Sequence, residues 1–338
     1  MTSFPNKSIG FIAIVLFIQF ALDITVILNI PVARQIIGFV YFTFVPGLLI
    51  VKILRMDKLN SLETVLFSAG FSLAFLLLFG LFINFFLPLL NVTNPLSVVP
   101  LTVMFNVVVV LGTVIVFSRN ADARIFNFKF SARYLLVILL LIFIPILSVT
   151  GAIFANVYDS NLILLLMIFL VVLVFAVFAM SKDLSFSRLY PFIIFIIAIS
   201  LLFHYSLVSS LAHGNDTSAE YFVMSNTHTN SIWNPVGPYP NNNNWGRLNS
   251  MLSLTILPSI YASVLSISMT SVYMILFPLL FSLVPLGLFQ IWKKYIGSKY
   301  AFIACFVFIA EPTFYTEMLG LTRQMISEIF LVLLLLIL

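Results

Sequence analysis

The chain alternates long apolar runs with short polar breaks, and the breaks differ in charge. Apolar runs of about 20 residues recur from Ile9 to Leu338, the length a helix needs to cross a bilayer. The pattern predicts about ten membrane helices. They lie near 9–30, 36–54, 63–88, 98–118, 134–154, 160–180, 190–212, 271–291, 299–313 and 324–338. The expected fold class is all-α, a polytopic transmembrane helical protein. One segment breaks the series. Met251–Ser268 is long enough to span, yet Pro258 divides it, and Ser259, Ser263 and Ser266 form a polar stripe at helical spacing. It is expected to form one or two interfacial or re-entrant helices on the outer side.

The polar breaks carry the topology. Lys52, Arg55 and Lys58 share one loop; Arg119, Arg124, Lys129 and Arg133 share the next but one. Lys182 and Arg188 follow, then Lys293, Lys294 and Lys299. The intervening loops, 89–97 and 155–159, hold no Lys or Arg. By the positive-inside rule the basic loops and the N-terminus, with Lys7, are cytoplasmic, and loop 213–270 is extracytoplasmic. The expected location is the cell membrane, with the lipid bilayer as the first partner.

Composition then removes alternatives. The chain is 62% hydrophobic and 8% charged, against about 25% charged in soluble domains. A soluble enzyme is excluded. Phe is abundant, but it sits inside the apolar runs as packing and lipid-facing surface. The single cysteine, Cys305, excludes an internal disulfide and a cysteine-based metal cluster. The net charge of +5 sits in short loops, so it reports topology and not nucleic acid. The chain ends inside the apolar run Phe330–Leu338, which predicts a truncated reading frame with further domains beyond it.

Candidate chemistry gathers in two outer clusters. The first is a polar island from His213 to Arg247. Asp216 and Glu220 stand four apart, on one face if the stretch is helical. Paired carboxylates there could hold a divalent cation, Mg or Mn, with Asp216 as a ligand, or supply a general base. Thr217-Ser-Ala-Glu220 also reads as a capping box, which would only start a helix. His213, Tyr221, His228 and Trp233 accompany the pair and suit the membrane interface. The second cluster is Glu311 to Glu317, followed by Arg323 and Glu328. Arg323 is suited to a phosphate held at the membrane surface, or to snorkelling. Glu328 lies deeper, where an acid is functional or paired. Asp23 and Arg34 are expected in interhelical polar contacts, and His204 to be packed and hydrogen-bonded.

These two acidic outer loops, one large and one small, resemble the start of a GT-C type membrane glycosyltransferase. The likeness runs from about Leu189 to Leu338. The chain is also similar to the archaeal multi-pass membrane proteins of the DUF2206 family. The supporting stretches are Asp216-Thr-Ser-Ala-Glu-Tyr-Phe222, Asn249–Pro258, Phe277–Leu286, Arg323-Gln-Met-Ile-Ser-Glu328 and Ile37–Gly47. The resemblance implies a membrane domain of about six helices over 1–185 and the start of a GT-C-like module over 186–338. It implies a polyprenyl-phosphate-linked sugar as donor. Asp216, possibly with Glu220, stands at the first acidic motif, and Glu311 or Glu317 at the second. His213, Tyr221, Arg323 and Glu328 are the expected substrate-binding residues. A transporter or lipid flippase built on Asp23, His204 and Glu328 is the alternative, together with a non-catalytic membrane protein.

Overall fold

The computed structural model describes residues 6–119, 132–181, 187–208, 215–237 and 244–338. Among them every regular element is a helix. The long ones are α1 (Asn6–Ile27), α2 (Ala33–Ile53), α3 (Ser61–Leu89), α4 (Val98–Ser118), α5 (Ala132–Tyr158), α6 (Leu162–Met180) and α7 (Tyr190–Ser206). The polar island forms α8 (Asn215–Asn230) and α9 (Asn244–Asn249). Then come α10 (Ile256–Leu265), α11 (Met269–Ser271), a π-helical turn (Val272–Leu276), α12 (Phe277–Phe281) and α13 (Val284–Ala310). The chain closes with α14 (Pro312–Tyr315), a 3-10 turn (Met318–Gly320) and α15 (Thr322–Ile337).

Seven helical stretches are long and apolar enough to cross a membrane: α1 to α6, and the run Met269–Ala310. Two shorter apolar helices, α7 and α10, join them. The outward faces are greasy. Phe17 is 70% exposed, Leu78 67% and Leu140 66%. Water would penalise such faces and a bilayer would not. These features fit a multi-pass membrane protein.

The helices pack as two compact units, Met1–Asn127 with Ala219–Val272, and Phe128–Ser218 with Tyr273–Leu338. The family resemblance divides the chain near residue 185; packing groups α5 and α6 with the C-terminal helices.

In the first unit α2 lies directly on α3. A Cβ on Gly47 would fall 1.8 Å from the Ser68 carbonyl oxygen, so only glycine permits this approach. The Gly47 amide donates to Ser72 Oγ at 2.7 Å. Aromatic rings fill the interior, with Phe42 and Phe79 edge-on to Phe105 at 4.9 and 5.3 Å.

Helix α10 occupies the Met251–Ser268 segment, which is expected not to span. All ten of its residues are buried. At about 15 Å long it cannot cross a core of about 30 Å. It is a short helix enclosed by α2, α3 and α4. Pro258 sits in its first turn, where amides lack intrahelical partners, so it begins the helix and does not divide it. The serines have separate roles: Ser259 Oγ donates to Thr255 O at 2.7 Å, Ser263 Oγ stands 3.5 Å from His228 Nδ1, and Ser266 is the left-handed C-cap, φ 54°.

The carbonyls at the end of α10 are met by Arg34. Its Nε donates to Val264 O at 2.5 Å and its Nη2 to Ser263 O at 3.1 Å. Its Nη1 donates to Asn29 Oδ1 at 2.7 Å. The guanidinium thus supplies donors to carbonyls shielded from water and a cation to the negative helix end. Asp23 is likewise engaged, accepting from Asn106 Nδ2 and Gln19 Nε2. Both residues make the interhelical or helix-spanning polar contacts expected of them.

The polar island is tied to α3 by one buried asparagine. Asn84 Nδ2 donates to Trp233 O, and the Trp233 amide donates to Asn84 Oδ1, each at 2.8 Å. Trp233 Nε1 donates to Asn249 O at 2.9 Å. The Leu96 amide reaches Ser231 O, so the 89–97 loop and the island share one end of this unit. At the other end Arg55 Nη2 donates to Arg119 O and Arg119 Nη1 to Ile53 O, joining the ends of α2 and α4.

In the second unit Ser148 Oγ donates to Ser200 O at 2.6 Å, linking α5 and α7. Helix α13 breaks at Gly297, φ 80° and ψ 164°, between the two predicted segments. Lys294 Nζ reaches Leu336 O and Lys299 Nζ reaches Ser181 O. The break and the ends of α6 and α15 therefore gather at one basic end.

Arg34→Met should destabilise the protein by about 3 kcal/mol, since it strips two buried carbonyls. Asn84→Leu should cost about 2 kcal/mol by stranding the Trp233 amide and carbonyl. Thermal unfolding in detergent checks both; surface controls such as Lys58→Gln should leave the midpoint unchanged.

Candidate functional site

Asp216 and Arg323, far apart in sequence, meet. Arg323 Nη2 donates to Asp216 Oδ2 at 2.7 Å. Asp216 lies in the first turn of α8, where an acid suits the positive helix end. Arg323 lies in the first turn of α15. Leu321, at the N-cap of α15, gives no side-chain cap. A cation at the positive end of a helix concentrates positive potential, a setting that attracts anions.

Neighbouring hydroxyls hold the two helix starts in register. Tyr273 Oη donates to Leu319 O at 2.8 Å and stands 3.1 Å from Thr217 Oγ1. Thr217 Oγ1 donates to Gly320 O at 3.2 Å. Tyr273 belongs to the π-helical turn, which re-aims it relative to an α-helical course. Sequence reading missed Thr217 and Tyr273 as positioning groups. A lone tyrosine hydroxyl in an otherwise apolar run was the available signal.

The pair is accessible: the side chains are 26% exposed for Arg323 and 59% for Asp216. An ion pair that open contributes about 0–1 kcal/mol. It positions the groups and leaves them exchangeable.

The other predicted residues separate from this point. Glu220 shares the helix with Asp216 but is fully buried. The face of α8 formed by Thr217, Glu220, Val223, Met224 and Thr227 points inward. The two carboxylates therefore do not form an exposed pair. The capping box is also corrected. Helix α8 already includes Asn215, so Thr217 lies inside it, with its hydroxyl on the Gly320 carbonyl. Glu311 and Glu317 are exposed, Glu311 as the N-cap of α14. Glu328 is half-buried on α15, more than one turn beyond Arg323. Tyr221 Oη pairs with Thr270 Oγ1 at 2.9 Å. His204 packs against Tyr315, ring centroids 5.3 Å apart. His213 lies outside the described residues.

A divalent cation needs several oxygen ligands. Among the described residues no group of three or more His, Cys, Asp or Glu converges. The placed neighbour of Asp216 is a guanidinium, which repels a second cation. Among the described residues Asp216 pairs with Arg323, and the chemistry below runs through side chains alone.

His228, near the end of α8, is half-buried, and burial lowers its pKa from the ordinary 6.5. Its Nδ1 lies 3.5 Å from Ser263 Oγ. The folded protein thus resists a proton that the unfolded chain accepts. Stability should be intact above the ordinary histidine pKa and fall as pH drops below it. His228→Gln should flatten that slope in unfolding curves taken from pH 7 downward; an unchanged slope would assign it to other groups.

The chain matches no family model, no curated protein and no solved structure with which it was compared.

Proposed function

We propose that the protein is a GT-C-like membrane glycosyltransferase that takes a sugar from a polyprenyl-phosphate donor at the extracytoplasmic face. The observation that supports this reading is the Asp216–Arg323 contact. It puts a carboxylate able to accept a proton beside a guanidinium suited to phosphate. In this reading Asp216 holds the place of the donor phosphate until substrate binds. The weakness of an exposed pair makes that exchange easy.

The reaction follows from those two groups. Asp216 takes the proton of the acceptor hydroxyl. The acceptor oxygen bonds to the anomeric carbon of the sugar. The bond from that carbon to the phosphate oxygen breaks, and the electron pair leaves with the lipid phosphate. Arg323 and the start of α15 stabilise the charge that develops there. Asp216→Asn should lower transfer by roughly 10²–10⁴-fold with the unfolding midpoint unchanged. Transfer at the wild-type rate would remove Asp216 from the mechanism. Assays use the full-length protein with an isolated polyprenyl-phosphate sugar.

The reading carries a topology of about ten crossings with cytoplasmic basic loops. The joining of basic loops at one end of each unit supports it. Cys305 is buried and does not compete for labels. In intact cells a membrane-impermeant maleimide should label Asn234→Cys, whereas Lys58→Cys should react only after permeabilisation. The reverse pattern would invert the protein and move Asp216 inside. For the transporter alternative, Asp23 is engaged by Asn106 and Gln19, and the large cavity of the first unit is not lined by it.

A further inference from the structure

Helices α1, α2 and α4 of the first unit hold a polar cluster among their apolar residues. Asp23 of α1 accepts from Asn106 Nδ2 of α4, at 3.1 Å on Oδ1 and 3.0 Å on Oδ2. It also accepts from Gln19 Nε2, one turn earlier on α1, at 3.3 and 3.5 Å. Tyr41 of α2 lies within electrostatic reach of Asp23. Gln19 is 6% exposed and Tyr41 is fully buried. All four residues belong to stretches long and apolar enough to cross a membrane.

The cluster lacks a positive charge. Among the described residues no cationic side chain pairs with Asp23, whose partners are two neutral amides. A carboxylate away from water is costly unless a cation balances it. The charged groups on the packed helices do not supply one. Lys7 is in the first turn of α1. Arg34 of α2 directs its donors to Ser263, Val264 and Asn29. Lys52 is in the last turn of α2, roughly 16 Å along the helix from Tyr41. Helix α4 carries no titratable residue, and Tyr261 of α10 pairs its hydroxyl with Thr43.

The cluster also lacks hydrogens. Gln19 Oε1 and Asn106 Oδ1 are buried and accept no hydrogen bond. Tyr41 Oη has no partner either, so its hydrogen reaches neither carbonyl. Stranded acceptors of this kind cost stability. These oxygens have no surface that water can reach, so the group that pairs with them is smaller than water. A proton on Asp23 answers both deficits. It removes the buried charge and adds a donor. The acid hydroxyl then gives its hydrogen to Asn106 Oδ1, while Asn106 Nδ2 donates to the other carboxyl oxygen. Nδ2 is nearly equidistant from the two carboxyl oxygens. A small slide in the amide plane closes this acid–amide ring.

We propose that Asp23 is a proton-binding site within the membrane, held at neutral pH as the neutral acid by Asn106. Its proton exchanges with water at the near end of α1, which Ile27 closes about 6 Å further along. An acid that keeps an exchangeable proton among apolar helices is the kind of group through which membrane proteins tie proton uptake to other events. The site involves none of the residues placed in the transferase reading and stands or falls separately from it.

The test uses the purified full chain in maltoside micelles, free of sodium. The probe is dicyclohexylcarbodiimide, an apolar reagent that adds to protonated carboxyl groups, and peptide mass spectrometry locates the adduct. At pH 7 Asp23 should react at least 10-fold faster than the exposed Asp57 and Asp159. Asp23→Asn keeps the shape and supplies the donor and acceptor of the neutral acid, so its thermal unfolding midpoint should match the wild type. Asp23 reacting no faster than the exposed acids overturns the proposal, and this arm needs no variant to fold. A clearly lower midpoint for Asp23→Asn also overturns it, because the fold would then depend on the carboxylate. Protection of Asp23 by sodium chloride, and not by choline chloride, reassigns the oxygens to a sodium ion and overturns the proton.

Discussion

A helix that ends where water cannot reach leaves carbonyls that need other donors, and the first unit is built around that constraint. Helix α10 is ten residues long and wholly buried. Its last carbonyls would be stranded without Arg34. One guanidinium, itself anchored by Asn29, does what solvent does at an ordinary helix end. The same constraint explains Asn84. A non-helical stretch at Trp233 needs partners for both its amide and its carbonyl, and a side-chain amide offers one of each. These two residues let short and irregular chain lie among apolar helices.

Periodicity and length made most of the helices legible. The bounds of α2, α3, α4 and α6 fall within a few residues of the apolar runs, because a membrane helix is defined by the same quantity that composition measures. The break at Gly297 was legible too, since three lysines and a glycine interrupt an apolar run. Helix α10 was harder. Pro258 and the serines read as polar interruptions when no partner is known. Their meaning depends on Thr255, which accepts from Ser259, and on Arg34, more than two hundred positions away. Long-range satisfaction of backbone groups leaves no local periodic trace.

The candidate site was half legible for a similar reason. Asp216 and Arg323 stood out singly, because charged groups are scarce in this chain. Nothing in the spacing paired them. The pairing arises from Tyr273 and Thr217, which attach the start of α8 to the turn before α15. The Thr217–Glu220 motif misled in the other direction. A capping box is a local pattern, but the helix begins earlier and turns both residues inward.

The polar contacts of this protein thus fall into two energetic kinds. Arg34 and Asn84 are buried and make several hydrogen bonds each, so losing either strands partner groups at a cost of kilocalories. The Asp216–Arg323 pair is accessible and close to neutral in free energy. Burial therefore separates contacts that must persist from one that can open and reform. An exchangeable acid–guanidinium contact, set between hydroxyl groups that fix its helices, is what a site needs if an anionic ligand is to replace a carboxylate without dismantling the fold.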